Sequence, residues 1–134
     1  MPRVADIEGV GPAFAAKLEA AGVTSVEGLL EKGASAKGRE DLAAKTGISG
    51  DKILSWVNFA DLFRIKGVGS EYSELLEKAG VDSPAELAHR KAENLYAKMV
   101  ELNTAKKLVR KLPTEAQVAD WIEQCKKLPK VVTH

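Results

Sequence analysis

Ile65-Lys66-Gly67-Val68-Gly69-Ser70 decides how this chain is read, because the same phrase occurs earlier as Ile7-Glu8-Gly9-Val10-Gly11-Pro12. A Gly-Val-Gly turn between helical segments has a definite physical use. Glycine takes positive φ without a Cβ penalty and lets another backbone come close. The first N–H groups of the following helix have no partner within it and point outward, toward an anion. Two such turns in 134 residues make internal repetition the first thing to look for.

Working outward from the two turns, the segment from Ile7 to Leu29 maps onto Ile65 to Leu87 at a constant offset of 58. Gly9, Gly11, Leu18, Gly22 and Val23 reappear as Gly67, Gly69, Leu76, Gly80 and Val81. Similarity resumes at an offset of 65, with Ile53, Trp56 and Val57 returning as Val118, Trp121 and Ile122. The change of offset places an insertion between Asn103 and Pro113, read as a longer connection or an added basic helix near 103–112. Duplication followed by one insertion accounts for the whole chain.

Local signals give both copies the same plan of turn, helix, glycine stop and short second helix. Gly11 is placed as an N-cap with Pro12 as the first helical residue, where its missing N–H costs nothing. Phe14, Ala15, Leu18 and Ala21 share one face, and Gly22 stops the helix in the left-handed position. Thr24 or Ser25 caps the next helix, with Glu27 as a capping-box partner to Thr24. The polar stretch Gly33 to Gly38 leads to a third helix that Gly47 ends.

Ser49 caps the longest helix, whose stripe is Ile53, Trp56, Val57, Ala60 and Phe63. In the second copy Tyr72, Leu75, Leu76 and Ala79 repeat the first helix, and Ser83 with Pro84 opens the next. Leu95, Met99 and Leu102 mark a third, and Thr114 with Gln117 opens the last, through Val118, Trp121, Ile122 and Cys125. The tail after Pro129 is expected to fray. No stretch alternates with period two. The expectation is an all-α protein of two duplicated helical units, 1–64 and 65–134, packed as one compact body without a sheet.

Composition narrows the function. The chain is 45% apolar and 29% charged, as in an ordinary globular protein, and its formal net charge of +1 sets up no global field toward nucleic acid or membrane. Any basic footprint is local. The one cysteine, Cys125, forms no internal disulfide framework, and no apolar run approaches the roughly 18 residues of a membrane span. A reducing, cytoplasmic setting follows, with no metal, no cofactor and no small-molecule substrate evident. There is no phosphate loop, nucleophile elbow or metal-ligand spacing, so no enzyme is expected.

The two glycine turns, with Ala15 and Leu18 after the first and Leu75 and Leu76 after the second, resemble helix-hairpin-helix motifs. That resemblance implies non-specific contact with nucleic-acid backbone. Over about Ile7 to Leu128 the chain also resembles a mostly bacterial family, domain of unknown function 4332. The residues that carry this are Glu93-Asn94-Leu95, Lys106-Lys107-Leu108-Val109-Arg110-Lys111-Leu112-Pro113 and Val118-Ala119-Asp120-Trp121-Ile122-Glu123. It implies a fold and, by its name, no function.

The candidate phosphate contacts are therefore Gly9, Val10, Gly11 and Ala13 with Lys17 in the first copy, and Lys66, Gly67, Val68 and Gly69 in the second. Glu71, Glu74 and Glu77 on the following helix oppose an anion there, and Glu8 departs from a basic hairpin in the first copy. Lys106, Lys107, Arg110 and Lys111 form the best basic constellation, read as a helix face, with Lys126, Lys127 and Lys130 near in sequence. Trp56 and Trp121 are read as core residues rather than stacking platforms. His89 and His134 have no evident partner. The expected function is a non-catalytic module contacting DNA or other nucleic-acid backbone. The alternative is a protein-interaction or scaffolding module that no longer binds nucleic acid.

Overall fold

The computed structural model describes residues 3–7, 9–107 and 109–133; Glu8, Leu108 and His134 lie outside the described residues. Among these the fold is all-α, with eight α-helices, one 3-10 turn at Val4–Asp6 and no strand beyond a single bridge between Arg3 and Ser25. The chain divides into two units, Met1–Asp61 with Lys130–His134, and Leu62–Pro129. The C-terminal tail thus belongs to the first unit, where the sequence reading put it in the second.

The first unit comprises α1 (Gly11–Ala20), α2 (Val26–Gly33), α3 (Ala36–Thr46) and most of α4 (Gly50–Leu62). Its caps follow the side chains available. Ser25, rather than Thr24, caps α2 by accepting from the Gly28 N–H at 2.9 Å, and Ser35 caps α3 by accepting from Gly38 at 3.0 Å. Gly22 at φ 89° and Gly47 at φ 73° occupy the left-handed positions after α1 and α3. Leu18, Leu29, Ile53 and Val57 are fully buried together with Val4 and Val23.

The stretch Gly33 to Gly38 is a packed corner rather than a loose connection. Arg39 is 8% exposed and donates to the carbonyls of Gly33 at 2.8 Å and Ala34 at 3.1 Å, at the end of α2. A cation suits the negative end of the helix dipole and takes up carbonyls that the helix leaves open. Its other nitrogen donates to the Thr133 carbonyl at 2.6 Å, and the Thr133 N–H donates to the Ala34 carbonyl at 2.8 Å. These bonds, with buried Val132, hold the tail expected to fray.

The second unit comprises α5 (Ser70–Lys78), α6 (Pro84–Ala88), α7 (Ala92–Lys106) and α8 (Glu115–Lys127). Leu75, Leu76, Leu87, Leu95, Met99, Val118 and Trp121 form its core. Thr114 and Gln117 make the reciprocal capping box, at 3.1 Å and 2.8 Å. Ser83 caps α6 by accepting from Glu86, whose carboxylate turns outward to Arg90 at 3.1 Å instead of back to the cap.

Local geometry matches between the units at the offsets read from the sequence. Phe14 packs on Trp56 with ring centroids 5.3 Å apart, and Tyr72 on Trp121 likewise at 5.3 Å. Val23 donates to Leu18 and Val81 to Leu76, both at 2.8 Å. Ser73 stands on α5 where α1 has Ala15. It is fully buried, and its Oγ has no hydrogen-bond partner among the described residues. Ser73→Ala removes that desolvated hydroxyl at almost constant volume, so urea unfolding should show a gain of about 1 kcal/mol; a loss would mean that the hydroxyl is bonded in solution.

Candidate nucleic-acid interface

Each Gly-Val-Gly turn is held by its valine. Val10 and Val68 are buried, and their N–H groups donate to the carbonyls of Ile7 at 3.2 Å and Ile65 at 3.1 Å. The glycines on either side are therefore turned to the surface. Gly9 and Gly67 take φ of 88° and 93°, a region that any Cβ would strain.

Beyond this shared scaffold the two turns differ. In the first, Gly11 also has positive φ, 67°, and is the first residue of α1, with Val10 as N-cap in place of the expected Gly11. No side chain caps α1 and its first turn carries no acidic residue. The amides there have no partner within the helix, Pro12 donates nothing, and Gly11, Pro12 and Ala13 are exposed. Lys17 lies in the last turn of α1, not the first, roughly 9 Å along the axis from Gly11. Its side chain leans back toward the helix start, bringing Nζ to 5.8 Å from the Phe14 ring centroid.

Lys52, which the sequence reading left out, comes to the same ring from the start of α4. Its Nζ lies 4.7 Å from the Phe14 centroid. Phe14 itself rests on Trp56 at a tilt of 56°. Two cations thus approach one aromatic ring, that of a residue in the first turn of α1. The signal was available: Ser49 as a cap puts Lys52 in the first turn of α4, one helical turn before Trp56.

In the second turn, Gly69 has φ −106° and is the N-cap of α5, whose first turn holds Glu71. Positions corresponding to Lys17 and Lys52 are Leu75 and Gln117. Gln124 closes the turn from α8. Its Oε1 accepts from the Lys66 N–H at 2.9 Å, while its Nε2 donates to the Lys66 carbonyl at 3.2 Å and to Asp120 at 2.9 Å. The Lys66 amide is therefore engaged inside the protein. At the offset of 65 the first unit has Phe59, which offers no such clamp.

The basic helix expected near 103–112 is absent. α7 ends at Lys106, and Lys107 follows in the left-handed region at φ 50°, its N–H donating to the Asn103 carbonyl at 2.8 Å. The Asn103 side chain then accepts from the Val109 N–H at 2.9 Å, and the Tyr72 hydroxyl donates to the Lys111 carbonyl at 2.9 Å. A side-chain acceptor in the last turn competes with continued helix, and buried Val109 and Pro113 pin the loop that results. Lys106, Lys107, Arg110 and Lys111 remain exposed, on a helix end and a pinned loop instead of one helical face. Trp56 and Trp121 are core residues, 4% and 1% exposed, and Cys125 is buried.

A family model described as Domain of unknown function (DUF4332) matches residues 8–128. The chain belongs to that family. No curated protein and no solved structure matches it. Among the described residues of this DUF4332 protein no helix is long and apolar enough to cross a membrane, and no group of three or more His, Cys, Asp or Glu side chains is placed to hold a metal ion.

Proposed function

We propose that this DUF4332 protein is a non-catalytic module that contacts nucleic-acid backbone without sequence preference, in a reducing cytoplasmic setting, and that the contact is made by the first glycine turn as a helix-hairpin-helix element. One observation carries the reading: Lys17 and Lys52 converge on Phe14 beside the uncapped, acid-free start of α1. Backbone amides at a helix start take a phosphate oxygen, and two lysines within reach neutralise neighbouring phosphates. Neither donor reads a base edge, so affinity is electrostatic and depends on salt.

The second turn suits this role less, since Glu71 opens its helix and Gln124 already occupies the Lys66 amide. The cations from Lys106 to Lys111 are exposed, but two of them, Lys107 and Arg110, line one depression with Glu71. Those features favour, for the second unit, the alternative of a protein-interaction or scaffolding part.

Fluorescence anisotropy with labelled duplex and single-stranded DNA over a salt series tests the proposal. Affinity should fall linearly with log salt, and Lys17→Glu combined with Lys52→Glu should lower that slope by about two, one for each phosphate contact removed. Absence of binding at low salt would overturn the reading and leave the interaction module in its place.

A further inference from the structure

We propose that the second unit holds a small-molecule site that takes a phosphomonoester carrying an ammonium group. The start of α5 and the loop after α7 enclose an open depression of about 540 Å³, lined by Glu71, Asn103, Lys107, Val109 and Arg110. That volume lies within the range of roughly 300–1,000 Å³ usual for small-ligand pockets. The walls are built rather than incidental. The Asn103 side-chain oxygen, Oδ1, is committed to the Val109 N–H at 2.9 Å, which turns the side-chain NH₂ donors away from that bond, and Val109 is buried as a floor. Tyr72, packed on Trp121, holds the far side of the loop through the Lys111 carbonyl at 2.9 Å.

Lys107 carries the only positive φ of a non-glycine residue among the described residues, 50°. A lysine in the left-handed region persists where its surroundings fix it. Here the loop bonds fix its backbone, and Lys107 is one of the residues that line the depression.

The chemistry of the walls selects the ligand. Lys107 and Arg110 contribute two positive charges and Glu71 one negative, a net of +1, with the Asn103 amide as a neutral donor. A phosphomonoester has a charge of about −1.5 to −2 near neutral pH and three acceptor oxygens, so a phosphate beside one ammonium brings close to −1 in total. The phosphate meets the Lys107 and Arg110 donors, with a fork–fork contact from the guanidinium, and the ammonium meets the Glu71 carboxylate. Bare phosphate leaves Glu71 facing an anion. A polyanion without a cation suffers the same repulsion, which separates this site from the first glycine turn.

NMR titration of the full chain tests the site, with O-phosphoethanolamine and inorganic phosphate as probes. Phosphoethanolamine should give saturable amide shifts at Glu71 and from 107 to 110, with inorganic phosphate roughly two- to fivefold weaker, the worth of one exposed ion pair. Glu71→Gln should reverse that order without changing the far-ultraviolet circular dichroism. The absence of saturable local shifts, equal affinities for the two probes, or an unchanged order in Glu71→Gln would each overturn the proposal. Vesicles containing phosphatidylethanolamine, whose headgroup is a phosphodiester with a single negative charge, are the lipid arm of the test: binding to vesicles without local shifts from the soluble phosphomonoester would also overturn it. None of these outcomes depends on whether Lys17 and Lys52 bind DNA.

Discussion

Gly38→Ala should lower stability by about 3 kcal/mol, read as a shift of the urea midpoint at unchanged slope. Gly38 lies in the first turn of α3, and a Cβ there would overlap the backbone carbonyl oxygen of Lys32 and stand 3.2 Å from Ser35 Oγ. A flexible side chain would yield cheaply; a carbonyl at the end of α2 would not, because the Arg39 guanidinium binds the next carbonyls along, Gly33 and Ala34. Moving the start of α3 away from α2 relieves the overlap only by stretching those bonds and the one to Thr133. Buried polar groups left without partners cost about 1–3 kcal/mol each. Gly50→Ala is the matched control. Gly50 opens α4 with nothing within 4 Å of its Cβ position, and alanine there should be neutral or gain up to about 1 kcal/mol. Equal effects at the two positions would show that the α2–α3 corner relaxes freely.

That corner also shows which parts of the fold were legible in the sequence. Helix existence and caps follow from near neighbours. The Ser25, Ser49, Ser83 and Thr114 caps each bond an N–H three residues on, and Ser35, passed over in the polar stretch before α3, does the same. The recurring Gly-Val-Gly phrase likewise marked both turns, and Trp56 and Trp121 were legible as core residues. What stayed hidden depends on partners distant along the chain. Arg39 in a polar stretch looks like a surface residue until Thr133, 94 positions later, meets it. Gln124 looks like a solvated position on α8 until it bonds Lys66, 58 positions earlier.

The basic run from Lys106 to Lys111 misled for a different reason. Lys, Leu, Val and Arg there are compatible with a helix, and nothing local forbids it before Pro113. The helix ends because the Asn103 side chain takes the Val109 N–H and buried Val109 anchors the loop. Tertiary anchoring overrides propensity at such a boundary. For the candidate interface, the glycines and Lys17 were legible; the Ser49 cap marks Lys52 as a first-turn residue of α4, and what local sequence does not give is its placement over Phe14, which depends on how α4 packs against α1.

Gly67→Ala, the second large effect, separates the two turns by energy instead of charge. Both Gly9 and Gly67 sit near φ +90°, at 88° and 93°, so alanine at either should carry left-handed strain of about 1–2 kcal/mol. The surroundings differ. A Cβ on Gly67 would stand 3.1 Å from Trp121 Nε1, whereas on Gly9 it would stand 4.0 Å from Trp56 Nε1, an ordinary contact. Trp121 is 1% exposed and packed against Tyr72, whose hydroxyl is tied to the Lys111 carbonyl, so the indole has nowhere to go. Gly67→Ala should therefore cost about 2–3 kcal/mol and Gly9→Ala about 1 kcal/mol less. Each unit contains one tryptophan, so Trp56→Phe and Trp121→Phe backgrounds give a separate fluorescence reporter for each. Equal losses would show that the indole contact adds nothing to the strain. The expected order would mark the second turn as the tighter structural joint and leave the first, with its open amides and two lysines, the freedom to meet a phosphate.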